Sequence, residues 1–387
     1  MSNVRHCKSE RAEHELLLCC ARTHVDENVA RRLRTLAATD IDWDYLFQLA
    51  RRHAVVPLVY SQLQRHAFDL VPAQDLYRFR NNYQENVARN LVLTSELQRV
   101  IKSLSAADIE AVPFKGPALA LFAYNDLALR RFVDLDIIVR KEDVFKSRDV
   151  LIDLGYSVSG SLSRDQEAML LRTQHSVQFQ SENRRILVEL HTEVASHMFA
   201  SSVSAEELWS ELISIKINEL EVKSLCAEDL FFSLTVHGSK HLWQRLSWIC
   251  DVAELIRRHK LNWASLQRRA AKADCERMFY LSLSLAQSFF GTGLPDELAK
   301  KIEDDSLLES LISEIRERLF NGTEHVAATS REMFRFNVNL RKSWRSRARY
   351  FVHVLQPTDG DVGVFSLPRG LNFAYYLIRP VRFLVSK

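Results

Sequence analysis

Residues 132–139 run Phe132-Val133-Asp134-Leu135-Asp136-Ile137-Ile138-Val139, β-branched and alternating, which reads as a strand. Successive side chains of a strand point to opposite faces. Asp134 and Asp136 therefore share one face, while Val133, Leu135, Ile137 and Val139 are expected to pack the other. Two carboxylates so placed can converge on one hard cation. The chain's other Asp-x-Asp sets read differently: Asp40, Asp42 and Asp44 lie at a helix start as caps, and Asp359 and Asp361 flank Gly360 in a turn.

Outward from this strand, Leu187-Val188-Glu189-Leu190-His191-Thr192-Glu193 repeats the pattern, with Glu189, His191 and Glu193 on one face and Val188 and Leu190 on the other. Beside Asp134 and Asp136, Glu189 makes a third carboxylate. Three such groups repel one another unless divalent cations bridge them, and hard oxygen ligands favour Mg²⁺ or Mn²⁺ over zinc. Residues 175–180 and 185–194 read as a hairpin through Ser181-Glu182-Asn183-Arg184. Upstream, Ile109 to Phe114 reads as a short strand, Lys115-Gly116-Pro117 as a turn and Ala118 to Tyr124 as a helix. A strand, glycine turn and helix present N–H groups and a positive dipole end to an anion such as phosphate, with Lys115 adding charge. Lys141–Leu154 reads as a helix stopped by Gly155, so this segment is an α+β core.

The flanks read as helical. Glu13 to about Leu104 is helical almost throughout, with Thr39-Asp40 at an N-cap position and Arg80-Asn81-Asn82 as punctuation. From Glu206 to about Leu319 the helical pattern returns, most regular over Asp229–Arg258. The expected organisation is 1–104 helical, 105–205 α+β core, 206–330 helical and 331–387 a basic tail packing on the body. With 387 residues, about two or three packed units are expected. Hydrophobic residues at 47% and charged residues at 26% are ordinary globular usage. No apolar run is long enough for a membrane span or signal peptide, so a cytoplasmic protein is expected. Six scattered cysteines without C-x-x-C spacing indicate neither a disulfide framework nor a zinc knuckle.

Net charge is +3, but residues 331–387 carry 11 Lys/Arg against 3 Asp/Glu, leaving residues 1–330 mildly acidic. Arg341, Lys342, Arg345, Arg347 and Arg349 crowd Trp344 and Tyr350 there. The favoured reading lays Trp344, Phe351 and Val354 on the body rather than tracking nucleic acid or lipid. Arg130 reads as a phosphate partner or as a salt bridge orienting the acids. His237 and His241 have zinc spacing, but Gly238 stands where the protease motif needs Glu, and polar contacts to a substrate are favoured. His175 and His191 read as hydrogen-bonded, half-buried histidines, with a place in the cleft as the alternative, while Trp209, Trp243, Trp248 and Trp263 read as core. The absence of G-x-S-x-G, Walker and Rossmann patterns sets aside hydrolase, P-loop and dehydrogenase classes.

Lys115-Gly116 before a helix, Arg130 spaced to Asp134 and Asp136, and Glu189-Leu190-His191 together resemble a bacterial family of uncharacterised nucleotidyltransferases of the polymerase-β-like superfamily. The resemblance extends through His237-Gly238-Ser239-Lys240-His241-Leu242-Trp243 with Trp248 and Asp251, and to Pro357-Thr358 and Arg379-Pro380. It implies a small mixed-sheet nucleotidyltransferase core between helical regions. It also implies Mg²⁺-dependent transfer of a nucleotide from an NTP, ATP being expected, with release of pyrophosphate. Asp134, Asp136 and Glu189 would hold the metal and carry catalysis. Lys115, Gly116, Arg130 and His191 would bind the nucleotide, and His237, Lys240 and His241 would line an acceptor cleft. The acceptor would be a small molecule, protein or peptide, with nucleic acid not favoured. Two departures, Pro117 after Gly116 and Glu189 in place of Asp, keep a catalytically inactive nucleotide-sensing or protein-interaction module as the alternative.

Overall fold

A computed structural model describes residues 11–158, 175–183, 185–194, 205–321 and 329–354. A five-stranded mixed sheet holds β1 (Ala111–Pro113), β2 (Asp134–Val139), β3 (Tyr156–Val158), β4 (Ser176–Ser181) and β5 (Leu187–His191) in the order β1-β2-β5-β4-β3. β2 and β5 are parallel, and the other neighbours are antiparallel. A parallel pair needs a long crossover, and here it contains the Val144–Asp153 helix, β3 and β4. β3 adds an edge strand that follows Gly155, whose φ of +84° turns the chain out of the helix as its sequence position predicts.

Alternation along β2 sends its two faces into different environments. Leu135, Ile137 and Val139 are buried with Val188, Leu190 and Phe179 against Leu97, Val100 and Leu104 of the Ala73–Ala106 helix. On the opposite face Ile138 joins Val112 and Phe114 in the larger core of the helical body. That body mixes both flanks: Leu16, Leu33, Leu46 and Val59 share one core with Leu230, Ile249, Leu281 and Leu311. A small α+β sheet core flanked by helices is thus the fold.

Several local readings are corrected. Val133 precedes the strand and is 51% exposed instead of packing with Leu135. The punctuation expected at Arg80-Asn81-Asn82 is absent, because one helix runs from Ala73 to Ala106. Residues 213–224, read as helical, form an antiparallel hairpin of β6 (Ile213–Ile217) and β7 (Leu220–Ser224) around Asn218 in the left-handed region. Its strands alternate apolar and polar residues, a period of two that the surrounding helical text obscured. The regular helical stretch over Asp229–Arg258 is divided into two helices, Ala227–Lys240 and Leu246–Arg258, with Leu242 and Trp243 both left-handed between them. The N-cap expected at Thr39-Asp40 is Asp42, whose carboxylate accepts from the Tyr45 N–H at 2.9 Å.

In the tail, Ser346, Tyr350 and Val354 form the i, i+4, i+8 face turned toward the body, so Trp344 (73% exposed) and Phe351 (52%) fall outside it, contrary to expectation. Arg341 is buried instead, with its guanidinium 4.0 Å from the Tyr350 ring centroid. The loops read around Asp359 and Asp361, Pro357-Thr358 and Arg379-Pro380 lie outside the described residues. No helix among the described residues is long and apolar enough to cross a membrane.

Candidate active site

The parallel register of β2 and β5 sets Asp136 directly opposite Glu189, Asp134 opposite Leu187 and Ile138 opposite His191. Both strands keep the two-residue period, so Asp134, Asp136, Glu189 and His191 share the face turned toward the helical body. His191 Nε2 lies 3.1 Å from Asp136 Oδ1 and 3.8 Å from Glu189 Oε2. Ser176 on β4, paired with His191, donates from its hydroxyl to Glu189 Oε1 at 2.8 Å. β5 ends at His191, so Glu193 lies beyond the strand.

The Lys115-Gly116 turn reaches this cluster because residue 116 has no side chain. Gly116 has a φ of +51°, and a Cβ there would stand 3.1 Å from the Asp134 carbonyl oxygen. The turn therefore lies against the β2 backbone. Lys115 Nζ then donates to Asp136 Oδ1 at 3.2 Å, and Pro117 takes the second position of the four-residue helix Gly116–Leu119. A π-turn, Ala120–Tyr124, follows and carries Tyr124 toward Asp251.

Crowded acids in a buried place divide their titration. Burial, then the neighbouring Asp136, pushes the Asp134 carboxyl up to about 6. Burial alone would raise Asp136 as well, but the Lys115 ammonium and the His191 hydrogen bond outweigh it and hold that carboxyl below the usual range. Asp136, Glu189 and His191 each offer a ligand atom, all within 4.8 Å of one another. Two carboxylate oxygens and an imidazole so close together could hold a divalent ion, the carboxylates being the donors that suit Mg²⁺ or Mn²⁺. Asp134 lies outside that group and borders the same cleft. A second group, Glu211, Cys226 and Asp229, has the same compactness, but Arg269 already pairs with Asp229 and burial pushes the Cys226 thiol up to about 12.

The opposite wall comes from the helical body, and the cleft between the walls has a volume of about 250 Å³. His237, Lys240 and His241 face it, as does Trp248, whose ring centroid is 5.2 Å from His237 and 5.6 Å from His241. Burial, then the cations Lys115 and Lys240, keeps both imidazoles neutral, with His241 pushed down to about 4. Burial also lowers the Lys240 ammonium, against the attraction of Glu189. Gly238 serves packing: a Cβ there would meet the Trp243 ring at 2.5 Å, because the chain doubles back with the Trp243 N–H bonded to the Gly238 carbonyl at 2.8 Å.

Arg130 joins the two walls. Its Nε and one terminal nitrogen donate to the two Asp251 oxygens at 2.8 and 3.0 Å, and the Tyr124 hydroxyl donates to the same carboxylate at 2.7 Å. The remaining nitrogen, Nη1, is buried at the cleft without a hydrogen-bond partner. Arg130 is thus an ion pair, as one of its two readings held, but with the helical body instead of with Asp134 or Asp136. The residues assigned to metal, nucleotide and acceptor all border this one cleft, whereas Glu193 does not. Sequence reading passed over Arg245 and took Trp248 for core. The signal that was available is the arginine immediately before the Leu246–Arg258 helix, beside an aromatic residue.

A small mixed sheet carrying clustered acids, packed between helices, defines an α+β nucleotidyltransferase-like protein. The chain belongs to the family described as uncharacterised nucleotidyltransferase, within the polymerase-β-like superfamily, whose profile matches residues 39–291. None of the curated proteins matches the chain.

Proposed function

We propose that the protein transfers a nucleotide from an NTP, with ATP the expected donor, to an acceptor hydroxyl or phosphate. The new bond joins acceptor oxygen to the α-phosphorus, the bond between the α- and β-phosphates breaks, and pyrophosphate leaves with the electron pair. The observation that carries this reading is the β2/β5 register, which brings Asp136, Glu189 and His191 together beside Asp134.

Asp134, Asp136 and Glu189 are the residues that would hold Mg²⁺ or Mn²⁺. Such an ion supplies charge stabilisation to the triphosphate oxygens. Glu189 accepts the proton of an attacking hydroxyl, kept in place by the Ser176 hydroxyl. His191 steadies Asp136 from the other side. Lys115 pairs with Asp136 in the ligand-free protein and transfers its ammonium to the triphosphate when nucleotide enters. Arg130 offers its unpartnered Nη1 to a phosphate oxygen while Asp251 fixes the guanidinium. His237, Lys240 and His241 then meet the acceptor. We place this activity in the bacterial cytoplasm.

The alternative is a nucleotide-sensing or protein-interaction module without turnover, favoured by Pro117 and by the Lys115–Asp136 pair that fills the acid cluster. Incubation with each α-labelled NTP, Mg²⁺ or Mn²⁺ and a cell extract separates the two. Label transferred by the wild type and lost in Asp134→Asn and Asp136→Asn supports transfer. NTP binding with no labelled product under either metal supports the module.

A further inference from the structure

Two arginines from separate segments, Arg131 before β2 and Arg245 before the Leu246–Arg258 helix, border the cleft, and Arg51 of the Trp43–Arg52 helix and Arg89 of the long helix add to the positive charge acting on Arg131. Arg131 and Arg245 line the cleft, and Arg51, Arg89 and Arg245 are exposed. The Leu246–Arg258 helix is fastened there by its first backbone groups: Leu246 N–H donates to His53 Nδ1 and Ser247 N–H to the His53 carbonyl, both at 3.3 Å.

Like charges repel unless a counter-charge is supplied, and several arginines elsewhere in this chain have one. Arg34, Arg78, Arg130 and Arg277 all pair with carboxylates. None of Arg51, Arg89, Arg131 and Arg245 makes an ion pair or a side-chain hydrogen bond among the described residues. Burial, then Arg89, Arg245 and Arg51, lowers the Arg131 guanidinium, and Glu85 is the acid acting against them. The catalytic acids are not among the charges acting most on Arg131, whereas Asp134 does act on Arg130. Arg131 and Arg245 thus border the cleft without pairing with its acids, whereas Lys115 is held by Asp136.

We propose that this part of the cleft is an anion subsite in which Arg131 and Arg245, with the added positive charge of Arg51 and Arg89, hold a phosphate monoester carried by the acceptor. Planar guanidiniums take phosphate oxygens two at a time, and a dianion needs more than one of them. Arg131 and Arg245 come from separate elements and border one cleft instead of following a stripe, which suits a compact dianion better than a polymer backbone. Trp248, 5.8 Å from the Arg245 guanidinium by its ring centroid, gives the attached organic group a flat apolar surface. That the bound molecule is the acceptor rests on the transfer reading above; that the subsite binds a monoester does not.

The test is calorimetric titration of the full chain with phenyl phosphate, in EDTA and without nucleotide, with phenol as the uncharged control. Saturable binding of phenyl phosphate but not phenol is expected, weakened at least tenfold in Arg131→Gln/Arg245→Gln and unchanged in Asp136→Asn. Thermal melting of the double variant at the wild-type temperature excludes misfolding as the cause of its loss; if it does not fold, Arg51→Gln/Arg89→Gln, on exposed helix positions, takes its place with a several-fold weakening expected. No binding above phenol overturns the proposal, as does binding lost in Asp136→Asn but kept in the arginine variants. A 5′-hydroxyl oligonucleotide that binds through the same arginines more tightly than phenyl phosphate overturns it in favour of a nucleic-acid surface. Because metal and NTP are absent, failure of α-label transfer leaves this result standing, and failure here leaves the transfer reading standing.

Discussion

The two walls of the cleft hold their charges in opposite ways. On the sheet wall, acids stand on adjacent strands and are compensated from within: Lys115 and His191 both reach Asp136, and Ser176 reaches Glu189. On the helical wall, the imidazoles of His237 and His241 are kept neutral by burial, and Arg245 borders the cleft without an ion pair among the described residues. A strand pair fixes side chains at short, rigid spacing, so like charges there must be satisfied locally. Helices that pack by apolar faces can leave cations at their margins for a ligand to meet. The sheet wall therefore presents acids that could chelate a cation, and the helical wall presents basic and neutral nitrogen groups.

The seam between the walls should be the most sensitive place. Asp251→Ala leaves Arg130 charged and buried and removes the acceptor of the Tyr124 hydroxyl, so a loss of about 3–5 kcal/mol is expected in urea denaturation. A loss under 1 kcal/mol would mean that the two walls are joined by packing alone. Next comes the helical wall. Gly238→Ala should destabilise by roughly 2–3 kcal/mol through overpacking, since the Trp243 ring is fully buried and has nowhere to move. Wild-type stability in this variant would show that the turn can relax.

Asp134→Asn probes the sheet wall in the opposite direction. The ordinary carboxyl value is 3.8 and the folded one about 6, so the folded state favours the protonated form. Ionising Asp134 thus costs stability as pH rises from about 4 through 6, whereas below 4 both states are protonated and nothing is lost. Metal-free Asp134→Asn should accordingly be up to about 2 kcal/mol more stable than wild type at pH 8, with the gain vanishing near pH 4. An equal gain at both pH values would separate the effect from ionisation. The smallest effect concerns His241, whose folded value near 4 lies under its ordinary 6.5. Here the unfolded chain binds the extra proton, so wild-type stability falls as pH drops from 6.5 toward 4. The full shift is discounted because the His241 ring borders a cleft open to water, so His241→Gln should flatten that slope by roughly 1 kcal/mol, measured by denaturation at the two ends of the window.

Much of the sheet wall was legible in advance because its signals are local. The period of two placed Asp134 with Asp136 and Glu189 with His191, and the Ser181–Asn183 turn announced the β4–β5 hairpin. Lys115-Gly116 was readable as a turn, and the need for glycine follows from backbone geometry at that residue. The helical wall was less legible. Polar Asn81 and Asn82 looked like a break, yet the helix continues because further along it Asn86 and Asn90 are buried, donating to carbonyls of the 127–130 loop. Those partners lie about forty positions away in sequence, beyond any window of local periodicity.

The sequence by itself determined which side chains share a strand face, where the chain turns and that an α+β core sits between helical flanks, since each follows from dihedral preferences and apolar spacing over a few residues. Tertiary structure alone decided that β2 and β5 run parallel with Asp136 against Glu189, that Arg130 belongs to Asp251, and that Arg131 and Arg245 border one cleft. Register, ion-pair choice and the grouping of like charges depend on which distant segments are brought together when the apolar faces are buried, and no single segment carries that information.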